Sequence, residues 1–269
     1  MDQRSVHGLA IAITGGARGI GHATAAALIR AGGTVAIGDL DPKQAAEAAA
    51  TLGARCVGLP LDVRDRGAFD GFLDQAEQRL GPLDVLVNNA GVMLLSAFAD
   101  EEDDRSDLMI DVNLRGVLTG TRLALKRMLP RNRGHIVNVA SSVAKVSLAG
   151  GATYSATKHA VLGLSDAVRA EIRATRVEIS CVMPGLVNTE LGAGVPQPAV
   201  GGVGPEAVAA AIVRTLERPR FEVFVPRAIG VATKALCTLP TGGRDRLTAA
   251  LHADDAFVKT DRSARAAYE

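Results

Sequence analysis

The chain has 269 residues, room for one large α/β domain with a sizeable core. Its formal net charge is +1 and aromatics make up 3%, with no Trp, so neither a basic footprint nor a base-stacking surface points to nucleic acid. No run of about 18 apolar residues offers a membrane span, and the polar start MDQRSVHG lacks the apolar core of a signal peptide.

Three cysteines, Cys56, Cys181 and Cys237, are far apart and set among apolar residues. That pattern predicts reduced, buried thiols in a cytoplasmic protein. The His residues are scattered, without an H-x-x-x-H or Cys/His cluster, so no metal site is expected.

In chain order, the apolar run 9–14 leads into a glycine-rich turn at 15–21 and a helical pattern over 22–32. A second apolar run, 34–38, ends at Asp39. Pro42 opens an Ala-rich helix closed by Gly53. A third strand, 55–61, meets Asp62, and a helix over 66–80 follows. The fourth strand is 84–91. The acids Asp100 to Asp104 open a long helix to about Met128, where they suit the dipole. Strands at 135–140 and 177–183 flank a helix from about 152 to 174. A helix near 205–217 precedes a last strand at 221–226. Strands that are apolar on both faces and alternate with helices predict a parallel sheet covered on both sides, in a single domain.

The turn TGGARGIG (14–21) has glycines at 15, 19 and 21, between a strand and a helix. The glycines permit a tight turn, close approach to a pyrophosphate and close packing on the strand. The free N–H groups of the helix start attract the phosphates. Asp39, eighteen residues after Gly21, is placed to bind both adenosine ribose hydroxyls and to repel a 2′-phosphate. Arg18 pulls the other way, as a guanidinium suits that phosphate. The balance favours NAD over NADP. A loop acid capping the helix at Pro42 is the ordinary alternative for Asp39. Asp62 is a candidate acceptor for the adenine amino group or, equally, a helix cap.

A second group of polar residues lies in SSVAKVSLAGGATYSATK (141–158). Tyr154 and Lys158 are four residues apart, so they share a helix face. An ammonium near a phenol favours the phenolate and lowers the Tyr pKa from about 10, which suits proton transfer near neutral pH. Ser141 follows an apolar strand, so a substrate oxygen could be held between Ser141 and Tyr154.

TGGARGIG, NNAG (88–91), Asn113 in DVNLRG, Ser141, Tyr154-x-x-x-Lys158 and PGLVNT (184–189) occur in this order. Together they resemble the classical short-chain dehydrogenase/reductase family, over about residues 7–226. The resemblance implies a Rossmann-type, doubly wound sheet, usually of seven parallel strands, and nicotinamide-dependent oxidoreduction of alcohols and ketones. It implies Tyr154 as acid/base, Lys158 as its pKa-lowering and ribose-binding partner, and Asn113 as holder of a water-linked proton path. Ser141, thirteen residues before Tyr154, is implied as the substrate-orienting Ser in preference to Ser142. The cofactor residues implied are Gly15, Arg18, Gly19, Ile20, Gly21, Asp39, Asp62, Val63, Asn89, Ala90 and Gly91, together with Tyr154 and Lys158. Asn88 is implied to border the cofactor too, and Pro184, Gly185, Val187 and Thr189 to meet the nicotinamide amide. Family members are commonly dimers or tetramers joined through the long helices after strands four and five, so a homodimer or homotetramer is expected.

Candidate substrate walls are Met93, Leu94, Leu95, Val143, Val146, Leu148, Leu186, Leu191 and Val195, with Lys145 the one residue able to pair with an anion. These point to an apolar secondary alcohol or ketone, steroid-, terpenoid- or acyl-like. The alternatives are an NADPH-dependent 3-oxoacyl-type reductase and a non-catalytic cofactor-binding regulator. Residues 191–204, rich in Gly and Pro, are expected to form a mobile lid. Residues 227–269 form a C-terminal extension. In it Ile229, Ala232, Leu236 and Leu239 make an apolar stripe on a helix ended by Pro240. Packing against protein, either folded back to wall the substrate pocket or meeting a neighbouring subunit, is favoured over membrane contact for this stripe. The last residues are expected as a loosely attached surface helix.

Overall fold

The structure, a computed structural model, describes residues 4–196, 202–250, 257–258, 260–261 and 265. Its apolar runs form β1 (Ala10–Thr14), β2 (Thr34–Asp39), β3 (Cys56–Pro60), β4 (Val85–Asn88), β5 (Gly134–Val139), β6 (Val177–Pro184) and β7 (Glu222–Val225). Between and after them lie α1 (Gly19–Arg30), α2 (Pro42–Leu52), α3 (Arg66–Leu80), α4 (Asp103–Ile110), α5 (Gly116–Met128), α6 (Ala152–Glu171), α7 (Pro205–Glu217), α8 (Arg227–Cys237) and α9 (Thr241–Ala250).

The strands form one parallel seven-stranded sheet in the order β3-β2-β1-β4-β5-β6-β7. This is the doubly wound α/β architecture expected from the sequence. Side chains alternate along each strand, so each strand feeds two cores. Ile11, Ile13, Val35, Ile37 and Val87 meet Leu28 and Ile212 on one face. Ala12, Ala36, Leu86 and Ile136 meet Phe69, Phe72, Leu123 and Met128 on the other. The strand order reverses between β1 and β4, and the carboxyl ends of these two strands open the crevice where such sheets bind ligands.

Local chemistry sets the element ends. The Asp41 side chain caps α2 by accepting from the Lys43 and Gln44 N–H groups, and Asp65 caps α3 by accepting from Gly67 and Ala68. The caps are thus Asp41 and Asp65, and Asp39 and Asp62 stay outside the helices. Gly53 ends α2 at φ +87°, where an L side chain is strained.

The long helix expected up to Met128 is present from Asp103 to Met128, with α4 and α5 joined by one π turn at Asp111–Arg115. Such bulges re-aim a side chain and often mark functional sites; here the turn carries Asn113. Inside the sheet, the Asn88 amide donates to Asn138 Oδ1 at 2.8 Å, and the Asn138 amide donates to Ser165 Oγ at 3.0 Å. These buried bonds tie β4, β5 and α6 together.

The C-terminal region departs from expectation. On α8 the inward arc is Gly230 and Thr233, with Ile229 and Leu236 half-buried. Ala232 and Ala235 are exposed, Leu239 is 41% exposed and Val231 73%. A Cβ on Gly230 would sit 2.7 Å from the Phe224 ring, so glycine lets α8 lie close on β7 and turns the expected stripe partly outward. Cys237, expected buried, is exposed at the end of that outward face, and Cys56 is half-buried; Cys181 is buried. Of the residues expected as a loosely attached surface helix, Phe257 and Arg265 are buried, at 8% and 1% exposure, and most of the others lie outside the described residues. Among the described residues no helix is long and apolar enough to cross a membrane.

A Cβ on Gly58 of β3 would stand 2.1 Å from the Ala45 carbonyl oxygen of α2. Gly58→Ala is expected to push α2 off the sheet edge and destabilise the protein by about 1–3 kcal/mol, read as a lower midpoint in urea unfolding.

Candidate active site

The crevice begins at the glycine turn. Gly15 has φ +63°, and a Cβ there would lie 2.9 Å from Ala90 Cα. The turn therefore touches the segment after β4 backbone to backbone. The Asn89 amide donates to the Thr14 and Gly15 carbonyls at 3.0 and 2.9 Å. The Thr14 hydroxyl accepts from the Asn89 and Ala90 N–H groups, both at 3.0 Å. Gly19 also has positive φ, at +54°. Gly21 is buried behind the turn, where a Cβ would sit 2.1 Å from the Gly15 carbonyl oxygen. The turn therefore leaves its groove open, and side chains at Gly15 or Gly21 would collapse it. These features fit a dinucleotide pyrophosphate.

Asp39 lies at the carboxyl end of β2 and lines the crevice. Its carboxylate accepts from the Ala17 N–H at 3.0 Å and the Leu40 N–H at 2.9 Å, which aims it at the turn. Arg18 is paired with Glu190 at 2.5 Å, although both are well exposed. Asp62 accepts from Arg64 through Nε at 2.9 Å and a terminal nitrogen at 2.7 Å. The bonds from Arg64 hold the Asp62 carboxyl below the usual carboxylate range.

Tyr154 and Lys158 are on α6, one turn apart, and both are buried. Lys158 Nζ donates to the Val139 carbonyl at 3.1 Å and lies 5.7 Å from the Tyr154 ring centre. Burial lowers the Lys158 pKa to about 8. Ser141, just past β5, accepts from the Val143 N–H at 3.4 Å. Asn113 is fully buried, and its side chain exchanges two hydrogen bonds of 2.8 Å with the Val92 backbone. It shapes the segment after β4.

One cleft of about 1180 Å³ joins these groups. It is lined by Gly15, Arg18, Gly19, Ile20, Asp39, Asp62, Val63, Asn89, Ala90 and Gly91, by Ser141, Tyr154 and Lys158, and by Pro184, Gly185, Val187 and Thr189. Gly21, Asn113 and Asn88 do not line it. Gly21 is a packing residue, Asn113 points into backbone, and Asn88 bonds Thr121 and Asn138 inside the sheet.

Of the expected substrate walls, Met93, Val143, Leu148, Leu186, Leu191 and Val195 line the cleft. Leu94 and Leu95 are packed into the apolar cluster beside it, and Val146 lies outside the lining. Lys145 also lies outside, in an ion pair of 2.7 Å with Glu222, which Lys234 shares at 2.9 Å. The carboxylate of β7 thus captures the expected anion partner. The cleft gains Leu40, Arg64, Val92, Glu190 and Phe257, and Ile229 of the expected stripe lines it too. Arg64 could have been suspected from its place two residues after Asp62, but nothing in the local pattern marks Phe257.

In the expected lid, 190–192 is a 3₁₀ turn and Val203 bridges Val187. That is more order than the Gly and Pro content suggested. Residues 197–201 of this segment lie outside the described residues.

A family profile described as short chain dehydrogenase matches residues 9–199. The ketoacyl reductase HetN of Nostoc sp. is 33% identical over 225 residues, covering 81% of this chain and 78% of that protein. The oxidoreductase UcpA of Escherichia coli is 34% identical over 182 residues, 66% of this chain and 69% of that one. A short chain dehydrogenase/reductase from Burkholderia phymatum, solved with NAD, has a TM-score of 0.79 at 25% identity, covering 86% of this chain and 93% of that one. A 3-ketoacyl-(acyl-carrier-protein) reductase from Brucella melitensis, solved with NADH, shares the fold with a TM-score of 0.75 at 24% identity, covering 82% and 98%. The chain belongs to the short chain dehydrogenase family of oxidoreductases.

The buried Lys158 makes a pH-dependent mark on stability. Its folded pKa of about 8 lies below the ordinary 10.5, so between these values the unfolded chain binds more protons. Stability from this group therefore rises with pH across that window. Below it, keeping the ammonium charged costs on the order of 3 kcal/mol. Lys158→Met is expected to unfold at higher temperature than the unaltered protein at pH 7, with the gap shrinking towards pH 10. Calorimetry at the two pH values checks this.

Proposed function

We propose that the protein is an NAD-dependent oxidoreductase acting on an apolar secondary alcohol or ketone, with Tyr154 as general acid/base. The observation that carries this reading is the buried Lys158 ammonium, 5.7 Å from the Tyr154 ring in a cleft that Ser141 also lines. The ammonium favours the phenolate. In alcohol oxidation Tyr154 Oη takes the hydroxyl proton, and Ser141 Oγ donates a hydrogen bond to the substrate oxygen as it becomes a carbonyl. In reduction Tyr154 returns that proton. Fixed donors around the reacting oxygen supply much of the rate. The chemistry a bound nicotinamide supplies is hydride transfer. Asn113 acts at one remove, through the Val92 backbone.

Two features support NAD over NADP. The Asp39 carboxylate lines the cleft beside the glycine turn, where it would repel a 2′-phosphate, and Glu190 engages Arg18, a cation that could otherwise accept one. The cleft walls Met93, Val143, Leu148, Leu186, Leu191 and Val195 support an apolar substrate. A second reading, a 3-oxoacyl-type reductase, is favoured by the similarity to a ketoacyl reductase. It requires preference for a 3-oxoacyl thioester over a plain ketone of equal length. We expect the site to work in a homodimer or homotetramer.

Tyr154→Phe is expected to lower kcat by about 10² to 10⁴-fold while NAD binding changes little. A Phe variant that keeps most of the turnover on a panel of apolar secondary alcohols would remove Tyr154 from the chemistry. Calorimetric titrations should give NAD at least about tenfold tighter than NADP, from the like-charge contact at Asp39. Asp39→Ala should narrow that difference. Tighter NADP binding by the unaltered protein would sink the assignment.

A further inference from the structure

The chain after β7 returns to the catalytic tyrosine. The Phe257 ring stands edge-on to the Tyr154 ring, with centroids 6.4 Å apart and planes at 72°. Phe257 is buried and lines the cleft. It rests on the start of α6, where a Cβ on Gly151 would meet its ring at 2.6 Å. Only glycine at 151 leaves room for the aromatic ring.

Two further contacts pin the tail. The Asp261 N–H donates to the Gly194 carbonyl at 2.9 Å. The Arg265 guanidinium, 1% exposed, donates through Nη1 to the Leu191 and Ala193 carbonyls at 3.0 and 3.1 Å. Its Nη2 donates to the Met93 carbonyl. Met93 follows β4 and Leu191 follows β6, and both line the cleft. One planar fork thus bonds two separate walls of the substrate region. Taking a guanidinium out of water is costly, and its fixed, planar array of donors is suited to holding several acceptors at once.

We infer that Phe257 is a specificity-determining residue that closes the substrate pocket at Tyr154, and that Arg265 is a positioning residue that fixes the 191–193 segment against Met93. This rests on the reading of Tyr154 as acid/base for an apolar ketone or alcohol. The family profile ends at residue 199, so the selectivity assigned here belongs to the part of the chain outside it. With Phe257 in place, slender ketones reach Tyr154 and broad ring systems are turned away.

The test uses the full-length protein, its Phe257→Ala, Phe257→Leu and Arg265→Met variants, and two ketones, cyclohexanone and cyclododecanone. Removing the ring should raise kcat/KM for the large ketone relative to the small one by about tenfold or more, with Leu intermediate and NAD binding unchanged. Arg265→Met should raise KM about tenfold with kcat within about threefold. Hydrogen exchange on the NAD-bound proteins needs no turnover. It should quicken over 191–195 in Arg265→Met and over 150–155 in Phe257→Ala. An unmoved ketone ratio in a protein that reduces both ketones overturns the role of Phe257, and unchanged exchange over 191–195 overturns that of Arg265. If no variant reduces either ketone, the substrate reading fails. The exchange over 150–155 and 191–195 then decides by itself, for or against, whether the tail closes the pocket.

Discussion

The contact on which the site depends is the backbone meeting between the turn after β1 and the segment after β4. Gly15 approaches Ala90 so closely that no side chain fits between them. The Asn89 amide and the Thr14 hydroxyl lock the two segments with four hydrogen bonds. These strands are neighbours in the sheet, yet the chain leaves them in opposite directions, so their helices diverge and a crevice opens. That junction shapes the groove of the turn, and Asp39 borders it through the bond from the Ala17 N–H.

The crevice has two ends of different chemistry. At the β2 and β3 end, carboxylates are held by named partners: Asp39 by backbone N–H groups and Asp62 by Arg64. At the β5 and β6 end most walls are apolar, and Ser141, Tyr154 and Lys158 stand among them. Lys158 is the costly member of this set. Its ammonium is buried, with the Val139 carbonyl as a partner and its pKa lowered by lost hydration. A group kept in such a place at the expense of stability is the expected mark of a functional residue. The π turn at Asp111–Arg115 has the same character, since it departs from regular helix to deliver Asn113 to the Val92 backbone.

The strands were legible because a parallel sheet buried on both faces needs continuous apolar runs, and those runs stand out between glycine and acidic punctuation. The glycine turn was legible because backbone geometry there excludes side chains. The Tyr154 and Lys158 pair was legible because one helical turn separates them. Harder to read were residues whose position depends on a partner far along the chain. Lys145 looked available to an anion and is taken by Glu222, 77 positions away in number. Asn88 looked like a cofactor neighbour and is turned into the sheet by Asn138. The α8 stripe followed helical spacing, but glycine at 230 decided which arc faces β7.

The sequence by itself determined the parallel sheet, the glycine turn and the pairing of Tyr154 with Lys158 on one helix face, because each rests on local periodicity or on backbone space within a few residues. Tertiary structure alone decided which late residues reach the cleft at Tyr154. Phe257 meets Tyr154 and Arg265 meets Met93 and Leu191 across separations of 70 or more positions. No local propensity encodes such contacts. They exist because an aromatic ring and a guanidinium late in the chain meet the Tyr154 ring and the carbonyls of Met93, Leu191 and Ala193.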